Sequence, residues 1–248
     1  SCLDAKIEVN NRIIKNLEEQ AQAIFKSWFI DFEPFQEGKF VESELGMIPE
    51  GWKAGTIADL GEVVGSSTPS KKFTEYYSEN GIAWITPKDL SLNKNKFVAK
   101  GQIDITQLGL KNSSAKVMPK GTVLFSSRAP IGYIAIAKNE VTTNQGFKSV
   151  VPREDVGTEY VYHFLKNNVS TIEAVAGGST FKEVSGTTMK QIPALIPSKR
   201  VLEEFKKAIH LHFQLQELLE EQNTTLATLR DTLLPKLMSG EIEVPIDQ

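Results

Sequence analysis

Both ends of the chain repeat hydrophobic residues at a helical period. Within residues 3–31 two sets recur every seven residues and interleave, Ile7, Ile14, Ala21 and Trp28 with Asn10, Leu17 and Ile24. This spacing is typical of a coiled-coil seam, in which a polar position such as Asn10 costs stability but fixes the register. The pattern predicts one long helix that ends before Pro34, because proline disfavours helix at and just before its own position.

The helical period resumes at Lys199 and runs to a predicted end near Gly240, a residue suited to a left-handed cap. The residues at strict seven-residue spacing are His212, Leu219, Leu226 and Leu233. Four more leucines widen the apolar face beyond a two-stranded seam, namely Leu211, Leu215, Leu218 and Leu229. We therefore expect the two terminal helices to pair with each other, and the wider face to contact another protein.

A short repeat relates the two terminal segments. The sequence Leu-Glu-Glu-Gln at 17–20 returns at 219–222, an offset of 202 residues. Ile7 corresponds to Ile209, and Ile24 to Leu226, at the same offset. Two related helices around one globular region are typical of a ruler or adaptor that carries a recognition domain.

The middle of the chain has a different pattern. Short runs of β-branched or aromatic residues, bounded by Gly, Pro, Asn or Lys, predict strands at 81–85, 122–125, 131–137 and 141–152. Repeated prolines oppose long helices here, although a short helix is expected around 156–175. An irregular linker is expected before this region because of Gly38, Gly46, Pro49 and Gly51.

These elements predict an α+β fold. A strand-rich mixed domain is flanked by two long helices that pair as an antiparallel coiled coil. The expected limits are 1–35 for the first coiled-coil helix, 36–198 for the strand-rich domain and 199–242 for the C-terminal coiled-coil helix.

Composition and charge narrow the class of protein. There is no apolar run of the roughly 18–20 residues that a membrane span needs, and the single cysteine, Cys2, excludes an internal disulfide. A reducing, cytoplasmic setting is therefore expected. The net charge is −3, yet residues 50–198 carry 17 Lys/Arg against 13 Asp/Glu. A basic middle region permits a polyanionic ligand, because phosphate neutralisation needs only a local patch, and solvated surface charge is the alternative.

The sequence holds no catalytic or metal-binding motif of a familiar kind. There is no GxxxxGK[ST] phosphate loop and no GxGxxG. Of the three histidines, His163, His210 and His212, the last two are two residues apart and would point in different directions on a helix. We therefore expect a binding protein, with no catalytic residue and no metal site.

Several well separated segments resemble the specificity subunit of type I restriction–modification systems. Five lie in the middle region: IPEGWKAGTIADLGEVVGSSTPS (48–70), GIAWITPKDL (81–90), GTVLFSSRAPIGYIAIA (121–137), TTNQG (142–146) and AGGSTFKEVSGTTMKQIPALIPS (176–198). The helical segments LEEQAQAIFKSWFIDFEPF (17–35) and LRDTLLPKLMSGEI (229–242) resemble the family's central and C-terminal conserved regions. The similarity covers nearly the whole chain in the expected order.

This resemblance implies non-enzymatic recognition of double-stranded DNA. The middle region would be a target recognition domain that reads one half of a split sequence, and the paired helices would set the spacing and dock methyltransferase subunits. Those subunits carry S-adenosylmethionine and the adenine-N6 chemistry, so no cofactor is expected in this chain. Restriction (translocase) subunits join the same complex in the family, and no membrane partner is expected.

One departure from the family concerns the number of recognition domains. A full-length member has two, whereas this chain has one, so it is expected to be either the C-terminal half of a longer subunit or a natural half-subunit. A half-subunit is expected to form a homodimer and to read an inverted repeat. Two alternatives stay open: a helical protein–protein scaffold, and the recognition tail of a fused restriction–methyltransferase enzyme.

The candidate DNA contacts are polar loop residues near Lys or Arg, namely Lys71, Lys72, Lys88, Ser127, Arg128, Lys148, Ser179, Thr180 and Lys182. The candidate partner-helix interface is Ile14, Leu17, Ile24, Trp28, Leu219, Leu226 and Leu233. Segments shared across the family cannot encode specificities that differ between its members. The shared residues Arg128, Asn144, Gln145, Gly178 and Thr180 are thus expected to support the fold or position phosphate. Base contacts are expected in the less family-like stretches 66–78, 91–116 and 138–148.

Overall fold

The computed structural model describes residues 1–178 and 182–242. It divides into two compact units. The first, which we call the helix-pair unit, consists of Ser1–Ala23 and the chain from His210 onward; the second, the central unit, is Ile24–Ile209. No helix in the described ranges is long and apolar enough to cross a membrane.

The helices of the described residues are α1 (Cys2–Phe29), α2 (Ile57–Leu60), α3 (Pro87–Leu92), α4 (Gln107–Lys111), α5 (Thr158–Asn167), α6 (Val169–Ala174), α7 (Gly186–Gln191) and α8 (Lys199–Met238). The strands are β1 (Phe40–Ser43), β2 (Gly46–Pro49), β3 (Lys53–Thr56), β4 (Gly61–Gly65), β5 (Tyr77–Ser78), β6 (Ile82–Ile85), β7 (Phe97–Val98), β8 (Ile103–Ile105), β9 (Val123–Ser127), β10 (Ile131–Ala137), β11 (Thr142–Thr143), β12 (Lys148–Pro152) and β13 (Pro193–Ile196). The predicted α+β class is confirmed.

Side-chain pairs fix the direction of the two long helices in the helix-pair unit. Asp4 pairs with Arg230 at 2.8 Å, Asn10 Nδ2 donates to Gln222 Oε1 at 2.7 Å, and Gln20 Oε1 lies 3.1 Å from His212 Nε2. As residue numbers rise along α1, the numbers of the partners fall along α8. The two helices therefore run antiparallel, as predicted.

The 202-residue repeat relates the polar pairs of this seam to one another. Gln20 corresponds to Gln222, and Asn10 to His212, at the same offset. The bond between Asn10 and Gln222 is thus the counterpart of the contact between His212 and Gln20. Near the midpoint Gln216 Nε2 donates to the carbonyl of Ile14, which is its own counterpart in the repeat. The seam has approximate two-fold symmetry, because equivalent residues exchange partners across it.

Two sheets form the body of the central unit. One has five strands in the order β4-β12-β9-β10-β7, and the other has four in the order β11-β6-β8-β5. Buried side chains from both sheets meet in one hydrophobic core that includes Val64, Ile85, Leu124, Ala135 and Phe147. Two further pairs, β1-β2 and β3-β13, are small antiparallel sheets.

An aromatic cluster links the C-terminal end of α1 and the start of α8 to the strands. The ring centroid of Phe29 lies 4.8 Å from that of Phe205, 4.9 Å from that of Tyr160 and 5.7 Å from that of Trp52. The Tyr160 hydroxyl donates to the Leu195 carbonyl at 2.6 Å, and burial raises the pKa of this phenol. These contacts lie within the central unit and explain why it includes the chain from Ile24 and as far as Ile209.

Three local predictions in the middle region need correction. The segment predicted as an irregular linker contains the β1-β2 hairpin, in which Ser43 Oγ donates to the Gly46 carbonyl at 2.8 Å across the turn. The run at 141–152 forms two strands in different sheets, β11 and β12. The helix expected around 156–175 is two helices, and Asn168 between them donates its side-chain amide to the Phe164 carbonyl, a local bond that competes with helix continuation.

Candidate nucleic-acid interface

Two parallel strands bring separate loops to one edge of the four-stranded sheet. Strands β6 and β11 pair in parallel, with Thr142 opposite Trp84 and Thr143 opposite Ile85. Their carboxyl ends therefore lie together, and Asn144 N donates to the Ile85 carbonyl at 3.2 Å. The segments that follow, 86–89 and 144–146, become neighbours although more than fifty residues separate them in sequence.

The C-terminal end of β9 lies next to the segment 144–146. Ser127 N donates to the Gly146 carbonyl at 2.8 Å, so Arg128 emerges beside residues 144–146. Gly146 is buried, and a Cβ atom on it would lie 2.9 Å from Asn144 Oδ1 and 3.0 Å from Pro87 Cγ. This close approach explains the glycine, since a side chain would separate the two segments.

A third set of residues comes from the loops around β5 and β8. The Thr68 hydroxyl donates to Gln145 Oε1, and Trp84 Nε1 donates to the Ser67 carbonyl at 3.4 Å. On the other side Gln102 N donates to Asp89 Oδ1 at 2.9 Å. The loops at 66–71 and 100–103 are thereby tied to the edge formed by the parallel strands.

These segments enclose a cleft of about 520 Å³, which we call the cationic cleft. Its lining residues are Thr68, Lys71, Trp84, Thr86, Pro87, Lys88, Asp89, Gln102, Ile103, Arg128, Ala129, Asn144, Gln145 and Gly146. Three of these side chains are cationic and one is anionic, a sum of +2 that does not include Glu183, which pairs with Arg128 from outside the lining. The carboxylate of Asp89 already accepts bonds from Thr86 and Gln102, so it is occupied in holding the loops.

A second cavity of similar size is a poorer site for a polyanion. It measures about 560 Å³ and is lined by the cations Arg153, Lys199 and Lys206 and the acids Glu154, Asp155 and Glu203. The charges cancel, and Arg153 is bound to Asp155 through two bonds at 3.0 and 3.1 Å. The guanidinium of Arg153 holds the pKa of Asp155 below its usual range, so this acid stays ionised. Charge therefore favours the cationic cleft.

A more apolar recess adjoins the cationic cleft and shares Lys71, Trp84 and Ile103 with it. Tyr77 lines this recess and donates its hydroxyl to the Pro69 carbonyl at 2.5 Å. Burial raises the pKa of Tyr77, so the phenol stays neutral and adds no negative charge. The recess offers aromatic and apolar surface next to the cations.

The structure places the predicted DNA contacts in different settings. Lys71, Lys88 and Arg128 converge on the cationic cleft, whereas Lys72 and Lys182 are exposed and do not line it. Ser179 and Thr180 lie outside the described residues. Lys71 comes from one of the stretches expected to contact bases and Arg128 from a shared segment, so the cleft combines both kinds.

Two predicted contacts face inward. Ser127 is fully buried, and its hydroxyl donates to the Gly146 carbonyl at 3.2 Å. Ser127 therefore stabilises the segment at Gly146 that lines the cleft, and we no longer include it among the proposed DNA contacts. The Lys148 side chain is 15% exposed and pairs with Glu183 at 3.3 Å. Glu183 could not be identified from the sequence, because only the pairing of residue 183 with residue 128 brings it close to Lys148.

The predicted partner-helix residues are all buried or half-buried. Leu219 is buried, and the half-buried ones in the helix-pair unit are Ile14, Leu17, Leu226 and Leu233. Ile24 and Trp28 are half-buried in the central unit, where Trp28 lies 5.9 Å from Phe205 between ring centroids. By contrast Leu211 and Leu218 on α8 are 72% and 60% exposed.

The described residues thus combine an antiparallel helix pair with a strand-rich unit that has a cationic cleft, and they contain no group of three or more His, Cys, Asp or Glu suited to a metal ion. Residues 49–226 match the family described as Type I restriction modification DNA specificity domain. This match covers well over half of the chain. The chain belongs to this family, which confirms the resemblance seen in its sequence motifs.

Curated relatives agree with the family match. The chain is 41% identical over 192 residues to the type I restriction enzyme MjaIX specificity subunit of Methanocaldococcus jannaschii, which covers 77% of this chain and 44% of the relative. It is 25% identical over 300 residues to the HindI specificity subunit of Haemophilus influenzae, covering 97% of this chain and 65% of the relative. The chain therefore spans about half of the length of these relatives.

Solved structures agree on the fold. The HsdS subunit from Thermoanaerobacter tengcongensis aligns over 97% of this chain and 57% of its own, with a TM-score of 0.55 and 17% identity. The type I restriction–modification S subunit from M. genitalium aligns over 99% and 57%, with a TM-score of 0.56 and 16% identity.

Proposed function

We propose that this chain is a non-catalytic DNA-recognition module of a type I restriction–modification enzyme, and that its strand-rich region reads one half of a split target. The cationic cleft carries this proposal. Two kinds of segment line this cleft: stretches expected to vary within the family and segments shared by its members. The lining side chains together carry a charge of +2.

The side chains of the cleft suit two kinds of DNA contact. Lys71, Lys88 and Arg128 supply charge for phosphates, which positions a protein on DNA without reading its sequence. Asn144 and Gln145 belong to the shared motif 142–146, which predicts a role in the fold or at phosphate, but they also lie in the stretch 138–148 where base contacts are expected. The exposed amide of Gln145 in the cleft supports a base contact, because Asn or Gln can form paired hydrogen bonds with an adenine edge. Gln145 is exposed, whereas the Asn144 side chain accepts from Gly146 N at 2.8 Å and is the more structural of the two.

Family membership and the helices support a proposal about the partners. We propose that methyltransferase subunits, which would carry S-adenosylmethionine, dock through the paired helices, and that restriction subunits join them. The exposed Leu211, Leu215 and Leu218 support this assignment, because their spacing places them on one face of α8. The limits 1–35, 36–198 and 199–242, and a cytoplasmic location, belong to the same proposal.

A second recognition domain is needed for a split target. It comes either from a longer chain or from a second copy, and with a second copy the target would be an inverted repeat. The approximate two-fold symmetry of the helix seam supports such an arrangement, because equivalent residues recur on both helices.

A salt titration of duplex binding tests the proposal. Fluorescence anisotropy with a labelled random-sequence duplex should give an affinity that falls linearly on a log–log plot, with a slope of about −0.9 for each phosphate neutralised. Lys71→Gln and Lys88→Gln should each weaken binding and reduce the slope by about one phosphate's worth. The matched control is Lys120→Gln, an exposed lysine that precedes β9 at the end opposite Arg128.

This control distinguishes a specific contribution of the cationic cleft to DNA binding from a general effect of positive charge. Equal losses in Lys88→Gln and Lys120→Gln would mean that any cation contributes and that the cleft is not the site. A complex whose affinity does not change with salt would contradict DNA recognition through this surface.

A further inference from the structure

Glu183 joins two of the predicted DNA-binding cations in one cluster. Its Oε2 accepts from Arg128 Nη1 at 3.3 Å, and its Oε1 accepts from Lys148 Nζ at 3.3 Å. Lys148 Nζ also donates to Ser127 Oγ at 3.4 Å. The cluster carries two positive charges and one negative charge, so half of its cationic charge is already matched within the protein.

Backbone hydrogen bonds hold Glu183 in this place independently of its carboxylate. Residues 128 and 183 form an isolated antiparallel bridge, and Val184 N donates to the Ser127 carbonyl at 3.0 Å. On its other side Glu183 exchanges backbone bonds with Gly177 at 2.9 and 3.1 Å. Neutralising the carboxylate therefore leaves the anchoring of this segment intact.

The cluster is open where it meets the cationic cleft. The side chains of Arg128 and Glu183 are 36% and 37% exposed, whereas that of Lys148 is 15% exposed. Arg128 is also a lining residue of the cleft. An anion that binds this guanidinium from the cleft comes close to the carboxylate already bound to it, and the two negative charges repel each other.

We propose that Glu183 is an internal competitor of the DNA backbone: its carboxylate occupies Arg128 and Lys148 until a phosphate displaces it. The residue therefore restrains binding to DNA of any sequence. This inference rests on the proposed DNA-recognition function and adds a regulating residue to its site. Restraint of this kind is useful because phosphate attraction supplies essentially all non-specific binding.

The test compares Glu183→Gln with the intact chain in the anisotropy assay with the random-sequence duplex. Glutamine keeps the size of the side chain and removes its charge. Near 100 mM salt we expect affinity to rise roughly three- to tenfold, because two partly exposed ion pairs no longer have to be broken. The slope of log affinity against log salt should steepen by up to about 0.9. Glu183→Asp, which keeps the charge but shortens its reach, should give an intermediate gain.

Two controls connect the gain to the cluster. Glu154→Gln makes the same change in net charge at an exposed position beyond the end of β12, the strand that begins at Lys148. It should leave affinity unchanged. In an Arg128→Gln background the gain from Glu183→Gln should shrink, because only Lys148 is then released. Thermal unfolding of each variant checks that the fold is retained.

Several results would overturn the proposal. An unchanged or weaker affinity in Glu183→Gln would mean that the carboxylate positions Arg128 or takes no part in binding. An equal gain in Glu154→Gln, or an undiminished gain without Arg128, would mean a general charge effect. If the intact chain binds no duplex at any salt concentration, the proposed function itself fails. If it binds through Lys88 and Glu183→Gln brings no gain, only the role of Glu183 is lost.

Discussion

Asp89 organises one side of the cationic cleft at the scale of a single residue. Its Oδ2 accepts from the backbone N and the hydroxyl of Thr86, at 2.8 and 2.6 Å, which caps α3. Its Oδ1 accepts from Gln102 N at 2.9 Å, which ties the loop before β8 to that cap. Asp59 makes the same two bonds to Thr56 at the start of α2, and among the described residues it has no third bond to a distant loop. The comparison isolates the contribution of the loop contact.

Asp89→Ala should therefore destabilise the protein more than Asp59→Ala. We expect a loss of about 2–3 kcal/mol for Asp89→Ala, from the lost cap and the lost charge-assisted bond to Gln102 N, and about 1 kcal/mol for Asp59→Ala, from the cap alone. Urea unfolding of the two variants gives both values. Equal losses would show that the bond to Gln102 contributes nothing measurable.

The charged residues could be named from the sequence, but their partners could not. Lys71, Lys88 and Arg128 stand out as cations in polar loops, and they do meet in one cleft. Ser127 looks equally polar in sequence, yet the last residue of β9 faces the interior and is fully buried. Glu183 has no local signal at all, because its role depends on a backbone bridge to residue 128, 55 positions away.

At the scale of elements, Asn10 is one of the buried polar residues in the helix seam. Asn10 is fully buried and donates its amide to Gln222 Oε1 at 2.7 Å and to Asn223 Oδ1 at 2.8 Å. Its neighbour Asn11 is exposed and accepts from Asn223 Nδ2 at 2.8 Å. A buried polar side chain of this kind fixes the register of paired helices.

Asn10→Ala should leave two acceptors on α8 without their donor. We expect a loss of about 1–3 kcal/mol, from two lost side-chain hydrogen bonds, and less than about 0.5 kcal/mol for the matched variant Asn11→Ala. Circular dichroism at 222 nm during thermal unfolding compares them. Should the exposed asparagine matter as much as the buried one, the seam assignment is wrong.

The pair formed by Asp4 and Arg230 gives the helix-pair unit a pH dependence. The Arg230 guanidinium, followed by the Ser1 hydroxyl, holds the pKa of Asp4 well below its usual range. Because the folded pKa is depressed, the stabilisation is present above the unfolded pKa of about 3.9 and is lost as pH falls below it. Both side chains are partly exposed, so the effect is small and weakens with salt.

Asp4→Asn should reveal this dependence in low-salt thermal unfolding. The intact chain should be slightly more stable than the variant at pH 6–7, and the difference should shrink below about pH 4. Glu8→Gln is the control, because Glu8 pairs with Arg12 on the same helix rather than across the seam. A difference that persists undiminished at pH 2 would exclude the ion pair as its source.

The periodicity of hydrophobic residues predicts those helices and strands that are determined by residues close together in sequence. The helix from Lys199 to Met238 and the left-handed Gly240 beyond it follow from spacing and cap chemistry along one segment. The β1-β2 hairpin was missed because its turn carries Glu44 and Leu45 rather than the usual Asn-Gly. The cationic cleft depends on the parallel register of β6 and β11, which a single sequence does not reveal.

At the scale of the whole molecule, the charge distribution and the family match point to the same part of the chain. The acidic terminal segments carry 5 Lys/Arg against 9 Asp/Glu at 1–49 and 6 against 9 at 199–248. The basic middle contains the cationic cleft, and it lies within the residues that match the DNA specificity family. Charge therefore favours the strand-rich region over the terminal helices as the place of the proposed DNA contact.

Selection from a random-sequence duplex pool tests the central claim, sequence-specific DNA recognition, most directly. The chain is immobilised, and bound duplexes are amplified and sequenced over several rounds near physiological salt. We predict enrichment of one short contiguous motif, and loss of that enrichment in a variant with Lys88→Gln and Gln145→Ala combined. Bound duplexes with no common motif, or the same motif from the doubly substituted cleft, would contradict the assignment of DNA recognition to this surface.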